Sequence, residues 1–470
     1  MSKSASSPLI SLFQPALPWT IILGFISLSS VLILAGLGKI VNLAFPAGAL
    51  IVGVFLYFRY PILYLGFTWW LWFLTPLIRR IADYRSSYTE PSPLLLAPFL
   101  VTFVSVVTLW RHLPKISKQG GLPYLLSLLA VFYGFLVGVI SRSPIQVGIA
   151  FLDWIVPILF GFHLFVNWQN YPAYRKTIQR IFLWGVLIMG GYGILQFLIA
   201  PEWDTYWLIK SEFASGGKPE PLGLNVWSTM VSNQPFGTVM TAGLLLLLVN
   251  PSKGNLSTPT SGVGYLSFLL AKKRTTWISW FLGLLLLTSS LKANIQMRIV
   301  ITIMLTVICV VPLVTLEPFS DVISSRFSTF TELEEDGSAE ARQETYSEVI
   351  NDALNSYLGG GIGGPSHDSG ILSTLLDLGW FGTICYMSGI LLLLCSLFQG
   401  YEARTDPFVS AARATALSTF IQLPLGKPHV EVQGMILWSF ISLGIAAKKY
   451  YKYQKTIKLR YFLSKYRANL

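Results

Sequence analysis

His367 stands where a base would be useful. It follows five glycines between Gly359 and Gly364, and precedes an apolar stretch that opens near Gly370. If that stretch is a helix, Asp368 or Ser369 caps it, and the histidine meets the positive end of the helix dipole, which favours neutral imidazole. Neutral imidazole can take a proton from a hydroxyl, the work of a general base. The plainer alternative is a histidine that packs or hydrogen-bonds at a membrane surface. Gly361 and Gly363 let the backbone come close to a ligand, although any tight turn between helices uses glycine in the same way. Of the other three histidines, His429 in GKPHVEVQG is expected on the same face, while His112 and His163 are expected near the opposite one.

Cations form the second group. RRIADYRSSYTEPSP carries Arg79, Arg80 and Arg85, and AKKRTTW carries Lys272, Lys273 and Arg274. Each cluster sits at an apolar boundary on the face where basic residues are disfavoured. Either these side chains snorkel to lipid phosphates, or they bind an anionic head group such as a pyrophosphate, whose oxygens fit the arginine fork. Arg342 is a third case. Helical projection from Ser338 puts Tyr346, Val349, Ala353 and Tyr357 on one side, with Glu340, Glu344, Glu348 and Asp352 opposite. Arg342 falls on the apolar side, so it is either salt-bridged to a neighbouring carboxylate or reserved for substrate.

The elements that must hold these residues are membrane helices. Of 470 residues 53% are hydrophobic and 12% charged, about half the charge of a globular domain. The mean hydropathy is +0.59. Apolar blocks such as Trp19 to Gly38, Leu122 to Ile140 and Ile181 to Ala200 approach the ~20 residues needed to cross a bilayer. Only helices satisfy their own backbone in lipid at this composition, so the class is all-α, with roughly 12–14 membrane segments, some of them re-entrant. The segments group into a bundle over residues 1–316 with an outer loop at 201–234, a large loop at 317–369 containing the amphipathic helix, three last spans over 370–447, and a basic tail at 448–470. The 317–369 loop holds eleven of the 22 acidic residues.

The tail has eight Lys or Arg and no acid, which marks a cytoplasmic terminus beside anionic lipid. Counting back through the spans puts Arg404, Arg175 with Lys176, and Arg111 with Lys115 and Lys118 on the same inner side, and both termini in the cytoplasm. The net charge of +12 therefore belongs to lipid and not to nucleic acid. Cys309, Cys385 and Cys395 all lie in apolar segments and form no metal-binding spacing. No hydrolase triad, Walker loop, zinc motif or Asp-x-Asp pair is present. The expectation is chemistry without a cofactor, a protein-bound metal or a nucleotide.

Arg342, Gly359 to Gly364, His367 with Asp368, and Gly379 with Gly382 together resemble the late outer loop and following span of the O-antigen ligase and O-unit polymerase superfamily of bacterial membrane glycosyltransferases. KKRTTWISWFLGLLLL is similar to that family's Ser-Arg-x-x-Trp span, with Arg274 as the arginine and Lys273 in place of the serine. Asn225, in GLNVWSTM, stands where the family often has a basic residue, so one phosphate contact is either absent or supplied by Arg79, Arg80 or Lys272. The resemblance covers most of the chain in layout and about a hundred residues in sequence. It implies a polyprenyl-pyrophosphate-linked oligosaccharide donor, a glycan or lipid acceptor, His367 as base, and Arg274 with Arg342 stabilising the departing pyrophosphate. The implied place is the periplasmic face of a bacterial inner membrane.

Two other readings compete. A transporter or flippase for a lipid-linked or amphiphilic anion would favour charge near the bilayer midplane, where Asp153, Asp377 and Arg413 are the candidates. A non-catalytic scaffold for polysaccharide export partners would make His367 replaceable.

Overall fold

The computed structural model describes residues 16–249, 257–291, 293–297, 299–301, 303–304, 349–365, 367–400 and 406–468. Apart from one isolated bridge between Gly217 and Leu224, the regular elements among them are helices. In chain order the principal ones are α1 (Ala16–Leu34), α2 (Gly38–Arg59), α3 (Pro61–Arg85), α4 (Leu96–Phe103), α5 (Val106–His112), α6 (Leu122–Ser141), α7 (Pro144–Val166) and α8 (Tyr171–Ile199). They continue as α9 (Glu202–Lys210), α10 (Asn233–Val249), α11 (Ser257–Leu270), α12 (Arg274–Ser289), α13 (Gly370–Phe398), α14 (Pro407–Phe420) and α15 (Glu431–Ala468).

Eight of the described helical segments are long and apolar enough to cross a membrane, and this is a multi-pass, all-α membrane protein. Among the described residues α10, shorter but apolar, adds to the eight. The fourth span, Pro93–Lys115, is built from α4 and α5 with short 3-10 turns at both ends. Two stretches read as loop or tail carry helix: α9 lies within 201–234, and α15 continues the last span unbroken through the basic residues to Ala468.

Small residues set the packing around the glycine-rich segment. Helices in lipid approach most closely where side chains are smallest. On α6, a Cβ at Gly138 would lie 2.6 Å from the Ile362 carbonyl oxygen, and one at Gly134 would strike Leu378. The Gly134 carbonyl accepts from the Ile362 amide at 3.0 Å, which seats the segment in this notch. Facing it, α13 kinks at Gly379, whose φ of 65° no L side chain adopts comfortably. Gly359 packs backbone to backbone against that kink. The amides of Gly360 and Gly361 donate to the carbonyls of Leu376 and Asp377 at 2.7 and 3.0 Å.

Gly361 has φ +81°, and a Cβ there would run into the Gly138 backbone. Gly361→Ala is therefore expected to lose about 1–3 kcal/mol or more of stability through backbone strain and collision. Gly148→Ala, which meets open space within α7, should hold or raise stability, by up to about 1 kcal/mol. Thermal unfolding of the two purified variants in one detergent checks the contrast.

Candidate functional site

Four helices begin around one polar cavity: α7, α10, α13 and α15. The cavity measures about 340 Å³, and its lining includes Asp153, Trp154, Ser232, Gln234, Gly363, His367, Asp368, Asp377, Lys427, His429, Glu431 and Gln433. Asp153 lies nine residues into α7, roughly 14 Å along the helix from its start at 1.5 Å per residue. A second cavity of about 420 Å³ shares Asp153, Pro235 and Glu431 with it and is mainly apolar, lined by Trp72, Leu95, Phe99, Ile145, Ile149, Met230 and Val432 among others. Asp153, Pro235 and Glu431 form the wall common to both cavities.

His367 is positioned through its own backbone. Ser369 is the N-cap of α13, accepting from the Leu372 amide, and the Ser373 hydroxyl donates to the His367 carbonyl at 3.2 Å. Partial burial holds the imidazole pKa below its usual value, the Lys427 ammonium lowers it further, and Asp368 pulls the other way. The neutral form therefore persists below the ordinary histidine range. The signs separate the two neighbours. Lys427→Met should move the acidic limb of a pH–rate profile to higher pH, and Asp368→Asn should move it lower. A profile of initial rate against pH for the three proteins reads this directly.

Gly363 and Asp368 line the cavity with His367, while Gly361 lies just behind in the α6 notch. Lys272, Lys273 and Arg274 sit close by, since the Asn233 amide donates to the Ala271 carbonyl at 3.4 Å between the lining residues Ser232 and Gln234. Lys272 holds a left-handed φ of 52°, which turns the chain into α12. Arg342 lies outside the described residues, as does most of the amphipathic helix, of which 349–355 is helical.

Arg79 and Arg80 are elsewhere and face carboxylates. Arg79 pairs with Asp83 at 3.2 Å and Glu90 at 2.5 Å, and its guanidinium lies over the Tyr88 ring. Arg80 is 2% exposed, sits 2.9 Å from Asp204, donates to the Ser228 carbonyl and lies over Trp227. Neither lines the polar cavity. Asn225 is a turn residue there, its side-chain amide donating to the Ser215 carbonyl at 2.9 Å.

The cavity also contains residues that the sequence did not connect with His367. Asp153 and Asp377 read as mid-span charges but face this space, and Lys427 and Glu431 flank His429 in the link into α15. Arg142, at the end of α6, clasps the glycine-rich segment, its Nε donating to the Gly360 carbonyl at 3.1 Å. His163 is structural: it is buried in α7 and shares a 2.7 Å hydrogen bond with Thr108. Among the described residues no group of three metal-ligating side chains converges. The chain matches no protein-family model and no curated protein sequence.

Proposed function

We propose that this protein is a bacterial inner-membrane glycosyltransferase that polymerises or ligates saccharides from a polyprenyl-pyrophosphate-linked donor on the periplasmic face. The observation that carries the reading is the neighbouring pair of cavities, one polar and lined by His367, the other apolar, with Asp153, Pro235 and Glu431 common to both walls. An amphiphile with a glycosyl head and a hydrocarbon tail fits that pair.

In the step itself, His367 takes the proton from an acceptor hydroxyl of a glycan or lipid. The oxygen attacks the anomeric carbon, and the bond from that carbon to the pyrophosphate oxygen breaks. Polyprenyl pyrophosphate leaves with the electron pair. Lys272, Lys273 and Arg274, close to the Ser232–Gln234 edge of the cavity, are the cations assigned to stabilise that charge. Arg342 keeps the same role by resemblance. The leaving group is good, so the protein mainly aligns two large substrates and needs neither nucleotide nor resident metal. The basic face of α15 after the last span supports cytoplasmic termini, which turns the polar cavity outward.

Transport of a lipid-linked anion is the second reading, favoured by Asp153 and Asp377 lying well inside their helices and facing the cavity. The two separate in proteoliposomes given a polyprenyl-pyrophosphate oligosaccharide. Longer glycan without added nucleotide sugar supports transfer. Donor that changes leaflet with its glycan length unaltered supports transport. A scaffold for export partners would do neither.

A further inference from the structure

His429 is fully buried, and neither ring nitrogen has a hydrogen-bond partner. It nonetheless forms part of the polar cavity wall. Its ring is held from behind by Trp154 and Tyr386, with centroids 4.5 and 6.0 Å away. Gly370 gives the ring room, since a Cβ there would lie 3.1 Å from its Cε1, and Gly434 lets α15 pass close to the His429 backbone carbonyl. Burial, aided by Lys427, lowers its pKa to about 3, so the ring is neutral and offers one donor and one acceptor. A buried imidazole with both functions unused normally costs stability, and sites tolerate that cost where a ligand completes the bonds.

The rest of the wall says which ligand. Asp153, Asp368, Asp377 and Glu431 face the same space, with Lys427 as the cation in the described lining. Burial pushes the Glu431 carboxyl pKa up and the Lys427 ammonium pulls it down; in their ionised form these carboxylates accept from hydroxyls and ammonium groups and repel anions. Glu431 holds a left-handed φ of 51°, a strained conformation, in the wall common to the two cavities.

We propose that the polar cavity is the sugar-binding subsite, that His429, Asp153 and Glu431 hydrogen-bond the sugar ring held there, and that it admits neutral or amine-bearing sugars while rejecting sugars that carry a carboxylate. The proposal rests on the glycosyltransferase reading and deepens it, because it places the pyrophosphate at the rim, away from the acidic wall.

The test is saturation-transfer NMR on the full-length protein in lipid nanodiscs, with methyl glucoside, methyl glucosaminide and methyl glucuronide as probes. The glucoside and glucosaminide should bind, and the glucuronide should bind about tenfold more weakly, the scale of one unfavourable charge contact. His429→Leu should weaken the glucoside by a similar factor. Glu431→Gln keeps the side-chain volume and should narrow the discrimination against glucuronide, so it decides the matter if the leucine variant folds poorly. Equal binding of glucoside and glucuronide, no binding of any probe, or unchanged discrimination in Glu431→Gln overturns the proposal. Charge-selective binding by a protein that transfers no glycan would leave this subsite standing and remove the transferase. Transfer without charge selection would do the reverse.

Discussion

Replacing His367 by alanine is expected to cut glycan transfer by about a hundred- to ten-thousand-fold, the range that a positioned general base supplies. The protein should be recovered at wild-type level, because the Ser373 hydroxyl holds His367 through its backbone carbonyl, which alanine keeps. Donor binding should survive, since the apolar cavity and the rim cations are untouched. A loss confined to turnover, with binding retained, separates a base from a residue that shapes the pocket. The measurement is initial rate and donor binding on equal amounts of purified wild type and variant. A variant as fast as wild type would take His367 out of the mechanism and move attention to His429.

The second large effect falls on stability. Arg80→Met and Asp204→Asn should each destabilise the protein by about 3–5 kcal/mol, the cost of leaving one member of a buried ion pair without its partner. The pair is almost wholly enclosed and joins α3 to α9. Asp204 is also the acceptor for Tyr192 and Gln196, at 2.7 and 2.8 Å. Gln196 in turn accepts from the Trp227 and Ser228 amides, which pins the 201–234 segment onto the bundle. Removing both charges in Arg80→Met with Asp204→Asn should cost less than the sum of the single changes. Detergent-solubilised thermal unfolding with folded yield checks this. A singly substituted Arg80 variant that folds normally and only loses donor affinity would return Arg80 to the binding role that its position in the sequence suggested.

Helical class and membrane character were legible because lipid imposes one solution on long apolar runs. The start of α13 was also legible, since a Ser after His-Asp and before an apolar run is a local capping signal, and Ser369 does cap it. The ion pairs of Arg79 and Arg80 were only half legible. Arg79 and Asp83 are four residues apart on one helix, a spacing that announces a pair. Asp204, by contrast, lies more than a hundred residues from Arg80, and no local pattern connects them. The cavity wall has the same character. Asp153 from α7, Asp377 from α13 and Lys427 with Glu431 from the link into α15 meet only through tertiary packing, so in sequence they are isolated charges. Arg142 escaped notice because its task, holding the Gly360 carbonyl, exists only once the glycine-rich segment has docked against α6.

The central claim is bond formation at the expense of a polyprenyl pyrophosphate, and one measurement addresses it most directly. Purified protein would be given a donor labelled differently in its glycan and its lipid, with no nucleotide sugar and with His367→Ala in parallel. The account predicts that wild type yields elongated glycan and free polyprenyl pyrophosphate in equal amounts, and that the variant yields neither above background. Intact donor after prolonged incubation with an acceptor that the protein binds would contradict it.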